Sequence, residues 1–172
     1  MKLNRMWSLT ALVLVAVFLR FIPHPPNFSP IGALALFAGV HFSKRWVAFA
    51  IPFVALFLSD LVLGFHETMW AVYLSFALVV ALGLLIRSNK TTKNIILSSL
   101  VGSLVFFLIT NFAVWQTGMY GINFKGLVAC YIAGLPFLEN SVMGDLVYNG
   151  GLFSVWAFVE SQFLFKSNPV GA

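Results

Sequence analysis

The stretch RFIPHPPNFSP places Arg20, His24 and Asn27 close together among prolines, between two runs that are otherwise hydrocarbon in character. A guanidinium, an imidazole and an amide together offer hydrogen bonds suited to a small polar solute. Prolines remove backbone donors and stop helices, and such backbone is tolerated at membrane depth only where protein or a watery cavity satisfies it. The segment therefore reads as a structured cap over a cavity. As a plain connector, it would only let Arg20 snorkel to the interface.

Asp60, in FLSDLVLGFHE, lies about four residues, or roughly 6 Å of helix rise, inside the apparent end of an apolar run. An acid at that depth needs a partner or a function. Arg20 is the nearest basic candidate, and the two could pair with each other or share a ligand. His66 and Glu67 follow as an ordinary solvated end. Asn111 and Trp115 are one turn apart, so an amide and an indole share a face that can bond to and stack on a flat polar molecule; Tyr120 and Asn123 come next. In ACYIAGLPFLENSVMGDLVYNGG, Tyr131 and Glu139 precede Asp145 and Asn149, which again share a face. Asn140 or Ser141 is expected to cap a final helix here, which puts Asp145 in its first turns, where the dipole favours negative charge. The plainer roles for these groups are interface tryptophan, interhelical asparagine and first-turn acid.

Histidines and carboxylates on one side would permit an intramembrane metal or acid–base site, yet no pair has a ligand spacing such as His-x-x-x-His. There is also no glycine-rich phosphate loop, zinc-protease helix or serine elbow. No catalytic residue, metal ligand or cofactor is assigned. The candidate ligand-binding set is Arg20, His24, Asn27, Asp60, Asn111, Trp115, Tyr120, Tyr131, Glu139, Asp145 and Asn149. Its alternatives are an intramembrane enzyme built on Asp60, Asp145 and the histidines, and a structural membrane partner whose polar groups satisfy one another.

The elements that must position these residues follow from composition. The 172 residues are 60% hydrophobic, 16% aromatic and only 9% charged, far from the roughly 25% charged residues of soluble proteins. The chain therefore reads as one integral membrane domain over residues 1–172. Its net charge of +5 lies in short loops with no basic stripe, which argues for topology rather than nucleic acid. The lone Cys130 says nothing of redox compartment. MKLNRMWSLTALVLVAVFLRFIP imitates a secretory signal but has no small-residue cleavage site, so an uncleaved first helix is expected.

Candidate spans are Met6 to Ile22, Pro30 to Phe42, Trp46 to Gly64, Met69 to Ile86, Ile95 to Trp115 and Ser141 to Phe165, the second being short for a crossing that needs about 20 residues. Gly126 to Leu138 is expected to be re-entrant or to lie at the surface. With both termini cytoplasmic, Lys2, Arg5, Lys44, Arg45, Arg87, Lys90, Lys93 and Lys166 fall inside, leaving Arg20 and Lys125 outside, a positive-inside pattern. The expectation is an all-α bundle of six transmembrane helices whose candidate site faces outward. Small residues four apart, Ala35 and Gly39, Ala77 and Ala81, Ala129 and Ala133, mark close helix contacts.

A roughly 170-residue, six-helix chain with a proline-bearing loop leading into SPIGALALFAG, and a late LPFLENSVMGDLVYNGG, resembles the substrate-binding (S) components of energy-coupling factor vitamin transporters. The late block is similar to the proline-phenylalanine and glycine-aspartate signature of biotin- and pantothenate-type members. The blocks PHPPNFSPIGALALFAG, SDLVLGF and GDL look more closely like an uncharacterised bacterial membrane family. The resemblance implies capture of a vitamin-like small molecule on the outer side of the bacterial cytoplasmic (inner) membrane; separately, Asp60, Glu67, Glu139 and Asp145 against Arg20 and Lys125 in the outer half tilt the expectation toward a cationic or neutral heteroaromatic ligand over a polyanion. The resemblance also implies lipid around the protein, and a transmembrane coupling subunit with two ATPases as partners. Such components often carry an Ala-x-x-x-Ala docking patch on the first helix; WSLTALVLVAVFL lacks one, so docking would use another helix or the protein would act without that module.

Overall fold

The computed structural model of the chain describes residues 5–164, and these are helical with no strand. Six α-helices follow in order: α1 Arg5–Leu19, α2 Pro30–His41, α3 Arg45–Leu63, α4 Met69–Ile86, α5 Thr92–Gln116 and α6 Phe124–Val159. A short 3-10 turn, Arg87–Asn89, follows α4, and a π-helical turn, Glu160–Leu164, follows α6. Four helical stretches are long and apolar enough to cross a membrane: Arg45–Leu63, Met69–Asn89, Thr92–Gln116 and Phe124–Gln162; Trp7–Leu19 and Pro30–His41 are apolar but shorter. The terminal charges Lys2 and Lys166, and Phe165 at the end of the last expected span, lie outside the described residues.

The short α2 is the centre of the bundle. All its residues are buried, and it packs against each of the other five helices. Its sequence PIGALALFAGVH is apolar all round, the pattern of a helix with no solvent or lipid face. Its 12 residues make it about 18 Å long, so both ends finish inside the protein and must be satisfied there. At its start, Ser29 adopts the extended N-cap conformation and its side chain accepts from the Ile31 amide, with Pro30 in the first turn, where a missing donor is harmless. At its end, Arg87 reaches across from the end of α4: Nε and Nη2 donate to Gly39 O, at 3.1 and 2.7 Å, Nη2 donates to Phe42 O, and Nη1 to Ser43 O. Arg87 thus closes the orphan carbonyls of a buried helix end, a task beyond that of a loop charge.

Gly39 permits the closest crossing. A Cβ added there would lie 2.8 Å from Gly83 Cα, and one added to Gly83 would lie 2.9 Å from Gly39 Cα. The expected small-residue position Gly39 is therefore used, with Gly83 of α4 as its counterpart, whereas Ala129 and Ala133 are exposed.

Two boundaries differ from expectation. α1 ends at Leu19, and Arg20, Phe21 and Ile22 close as i→i−3 turns, because the residue before a proline avoids the helical region. The larger correction concerns Gly126 to Leu138, which is neither re-entrant nor a separate surface piece. It is the first part of α6, capped by Asn123 accepting from the Gly126 amide at 2.8 Å, and the helix continues through Pro136. Asn140 and Ser141 accordingly sit mid-helix, cap nothing, and Asp145 is far from the first turn. In an apolar medium an unbroken ladder satisfies the backbone better than a break, so one missing proline donor does not end the helix. At 36 residues, α6 is about 54 Å long, well beyond the roughly 30 Å of bilayer hydrocarbon.

Candidate ligand-binding cavity

A cavity of about 440 Å³ opens at the end of the bundle that carries the α1–α2 and α3–α4 connections. Its roof is the 20–29 segment. Phe28 N–H donates to Pro25 O at 3.0 Å, and Asn27 has φ +65°, so Pro25–Phe28 is a tight turn with proline second and a left-handed residue third, as in type II turns. Asparagine is among the few residues besides glycine that tolerate that conformation, so the turn accounts for the residue type at position 27. Three positions of α6 at four-residue spacing hold this roof in place. Asn140 Nδ2 donates to Pro26 O at 3.0 Å, Gly144 lets the Phe28–Ser29 backbone approach, and Tyr148 packs its ring 5.5 Å from that of Phe28.

One wall holds a buried ion pair. Arg20 Nη2 donates to Asp60 Oδ1 at 3.0 Å, and Tyr73 Oη donates to Asp60 Oδ2 at 3.1 Å. The side chains are 16% and 7% exposed. Arg20 lines the cavity, and its Nη1 is buried and meets no hydrogen-bond partner in the protein. The other acid is Asp145, whose Oδ2 accepts from Ser103 Oγ at 2.6 Å. Its carboxylate lies against Gly32, in the first turn of α2, so closely that a Cβ at Gly32 would overlap it. The positive end of the α2 dipole stabilises this acid, and its side-chain partner is a hydroxyl rather than a basic group. The walls between these polar points are apolar, with Leu56, Val72, Phe76, Val79 and Phe106.

The structure brings Arg20, His24, Asn27 and Asp145 to this cavity, with Asp60 behind Arg20. It does not bring the other expected residues there. Asn111 Nδ2 bonds to Phe107 O and its Oδ1 rests on Gly134; Tyr131 Oη bonds to Leu108 O; Trp115 Nε1 bonds to Gly121 O in the α5–α6 turn. These three tie α5 to α6 and its connection. Tyr120 and Glu139 are exposed beyond the cavity lining, and Asn149 is buried lower on α6, with Nδ2 donating to Ser99 Oγ at 2.9 Å. The cavity also uses Ser29, Gly32, His66 and Ser141, and Tyr73 and Ser103 as partners of its acids. Ser99 and Ser103 share a face of SSLVGS, a polar stripe that four-residue periodicity exposes. Tyr73 has no such signal. Among the described residues, no three His, Cys, Asp or Glu side chains gather as a metal-ligand set.

Residues 1–168 match the family described as a family of unknown function, DUF6580. The chain belongs to that family. No curated protein and no solved structure matches it. For this DUF6580 member, the roof, the Arg20–Asp60 pair and the Asp145 niche thus stand on the chain's own geometry.

Proposed function

We propose that this DUF6580 protein is the solute-binding, substrate-specificity subunit of a membrane importer in the bacterial inner membrane. In this reading the chain crosses the bilayer six times, the short α2 being enclosed by its neighbours, both termini are cytoplasmic, and the Arg20 end faces outward. The observation that carries the proposal is the 440 Å³ cavity, a volume within the roughly 300–1,000 Å³ of small-molecule sites, roofed by a proline-rich turn and polar at two points. Arg20 and Asp60 neutralise each other, which leaves Asp145 to select for a cationic or hydrogen-bond-donating group, while the free Arg20 Nη1 suits an acceptor on the same molecule. A neutral or cationic heteroaromatic, vitamin-like compound meets both demands; a polyanion does not. The resemblance to energy-coupling factor S components supports the importer role and its partners, a coupling subunit and two ATPases.

The test is mass spectrometry of small molecules released from gently purified protein, with thermal-shift screens against vitamins and their precursors. The expected result is a stoichiometric compound whose stabilisation disappears in Asp145→Asn and survives in Glu139→Gln. A folded protein that carries nothing and shifts with nothing refutes the reading.

A further inference from the structure

A second cavity, of about 550 Å³, lies at the opposite end of the bundle, where Arg87 closes α2. It is formed between the end of α2, the first turns of α5 and the last turns of α6, with Ser99, Asn149 and Trp156 in its walls and Lys90 and Glu160 of opposite sign also lining it. Along α5 and α6 the partition between the two cavities is thin. Gly102 lines the first and Ser99 the second; Asp145 lines the first and Asn149 the second. On each helix that is about one turn, roughly 4.5–6 Å of rise, against about 30 Å of hydrocarbon.

On its α5–α6 side the partition carries oxygen-bearing side chains, while along α2 the residues between Gly32 of the first cavity and His41 of the second are buried and apolar. Ser103 Oγ donates to Asp145 Oδ2 at 2.6 Å on one rung, and Asn149 Nδ2 donates to Ser99 Oγ at 2.9 Å on the next. Asn149 is 3% exposed, and its Oδ1 is buried without any partner from the protein. A native fold rarely leaves such an acceptor orphaned, because a buried polar atom without a partner loses its hydration and gains nothing in exchange. Next to Asn149, Gly150 and Gly151 face open space, so α6 has room to bend where the rung would open. Intramembrane carboxylates with polar neighbours commonly mark ion pathways.

We propose that the two cavities are the ends of one ion path through the bundle, that the Asp145–Ser103 and Asn149–Ser99 rungs form its gate, and that a small hard cation, a proton or a sodium ion, crosses there. Carboxylate, hydroxyl and amide oxygens in sequence are the ligands such a cation takes. This inference does not rest on the importer reading.

The experiment uses the full chain in liposomes under an imposed potential, with a pH-sensitive dye in one set and a sodium-sensitive dye in another. Flux above protein-free vesicles is expected in one set, and the dye that responds names the cation. Asn149→Leu, which fills the gate with hydrocarbon, and Asp145→Asn should both return flux to the protein-free level while melting as folded proteins. If Asp145→Asn does not fold, Asn149→Leu and Ser99→Val carry the test. Absence of flux with both dyes from folded wild-type protein overturns the proposal, as does flux that persists in Asn149→Leu. Ligand stabilisation is read separately by thermal shift, so failure of either reading is seen independently of the other.

Discussion

Replacing Asp60 with Asn separates a structural role from a ligand-binding one. Asparagine keeps the side-chain volume and an acceptor oxygen for Tyr73 Oη, so the change is confined to the charge facing Arg20. Removing one partner of a fully buried pair costs about 3–5 kcal/mol, because the remaining charge is left uncompensated. Arg20 is 16% exposed, and its access to the cavity lets water reach the guanidinium. This reduces the expected loss to about 2–3 kcal/mol. At roughly 2–4 °C per kcal/mol for a chain of this length, the melting temperature in detergent should fall by on the order of 5–10 °C. Arg20→Met with Asp60→Leu should recover most of that loss, because apolar groups of similar volume replace a buried pair at little or no cost. A double-mutant cycle over the two positions therefore should show strong coupling. An unchanged melting temperature in Asp60→Asn, together with lost ligand stabilisation, would refute this account and make Asp60 a ligand contact.

Substitutions at three further positions probe the central helix and the α6 cap. Arg87→Gln removes the guanidinium from three carbonyls at the end of α2 and should cost about 3 kcal/mol in thermal unfolding, with charge-assisted bonds worth about 1.5–3 kcal/mol each and not additive; Arg87→Lys should rescue little, since one ammonium cannot reproduce the fork. Gly39→Val sets a branched side chain against the Gly83 backbone, and should exceed the usual 1–3 kcal/mol of overpacking, seen as loss of folded, monodisperse protein. Asn123→Ala should cost about 1 kcal/mol and raise amide exchange in the first turn of α6 without altering the melting of the bundle core.

How far the sequence reaches is set by whether a feature is local. Apolar runs, the helix-stopping prolines and the intramembrane depth of Asp60 depend on neighbours along the chain, and the all-helical architecture with its long apolar helices follows from them. The pairing of Arg20 with Asp60 was also foreseeable as one of two alternatives, since each charge at that depth requires compensation. The unbroken α6 was harder to see. Asn140 or Ser141 read as the cap of a final helix and Pro136 is a helix-stopping residue type, yet neither outweighs the demand of an apolar surrounding for an intact backbone ladder. The roles of Arg87 and Gly83 were hidden for a different reason, because they are defined by a helix far away in sequence.

The face shared by Asp145 and Asn149 shows where spacing stops being informative. Four-residue periodicity correctly places both side chains on one side of α6, and both meet serines of α5, Ser103 and Ser99. Periodicity describes rotation about the helix axis and says nothing of what lies along it. Here the boundary between two cavities falls within that single turn, so residues that spacing would assign to one site look into opposite ends of the bundle. Asn111, Trp115 and Tyr131 show the same limit. Their polar groups tie α5 to α6 and its connection beyond the cavity, at the far end of the two longest helices.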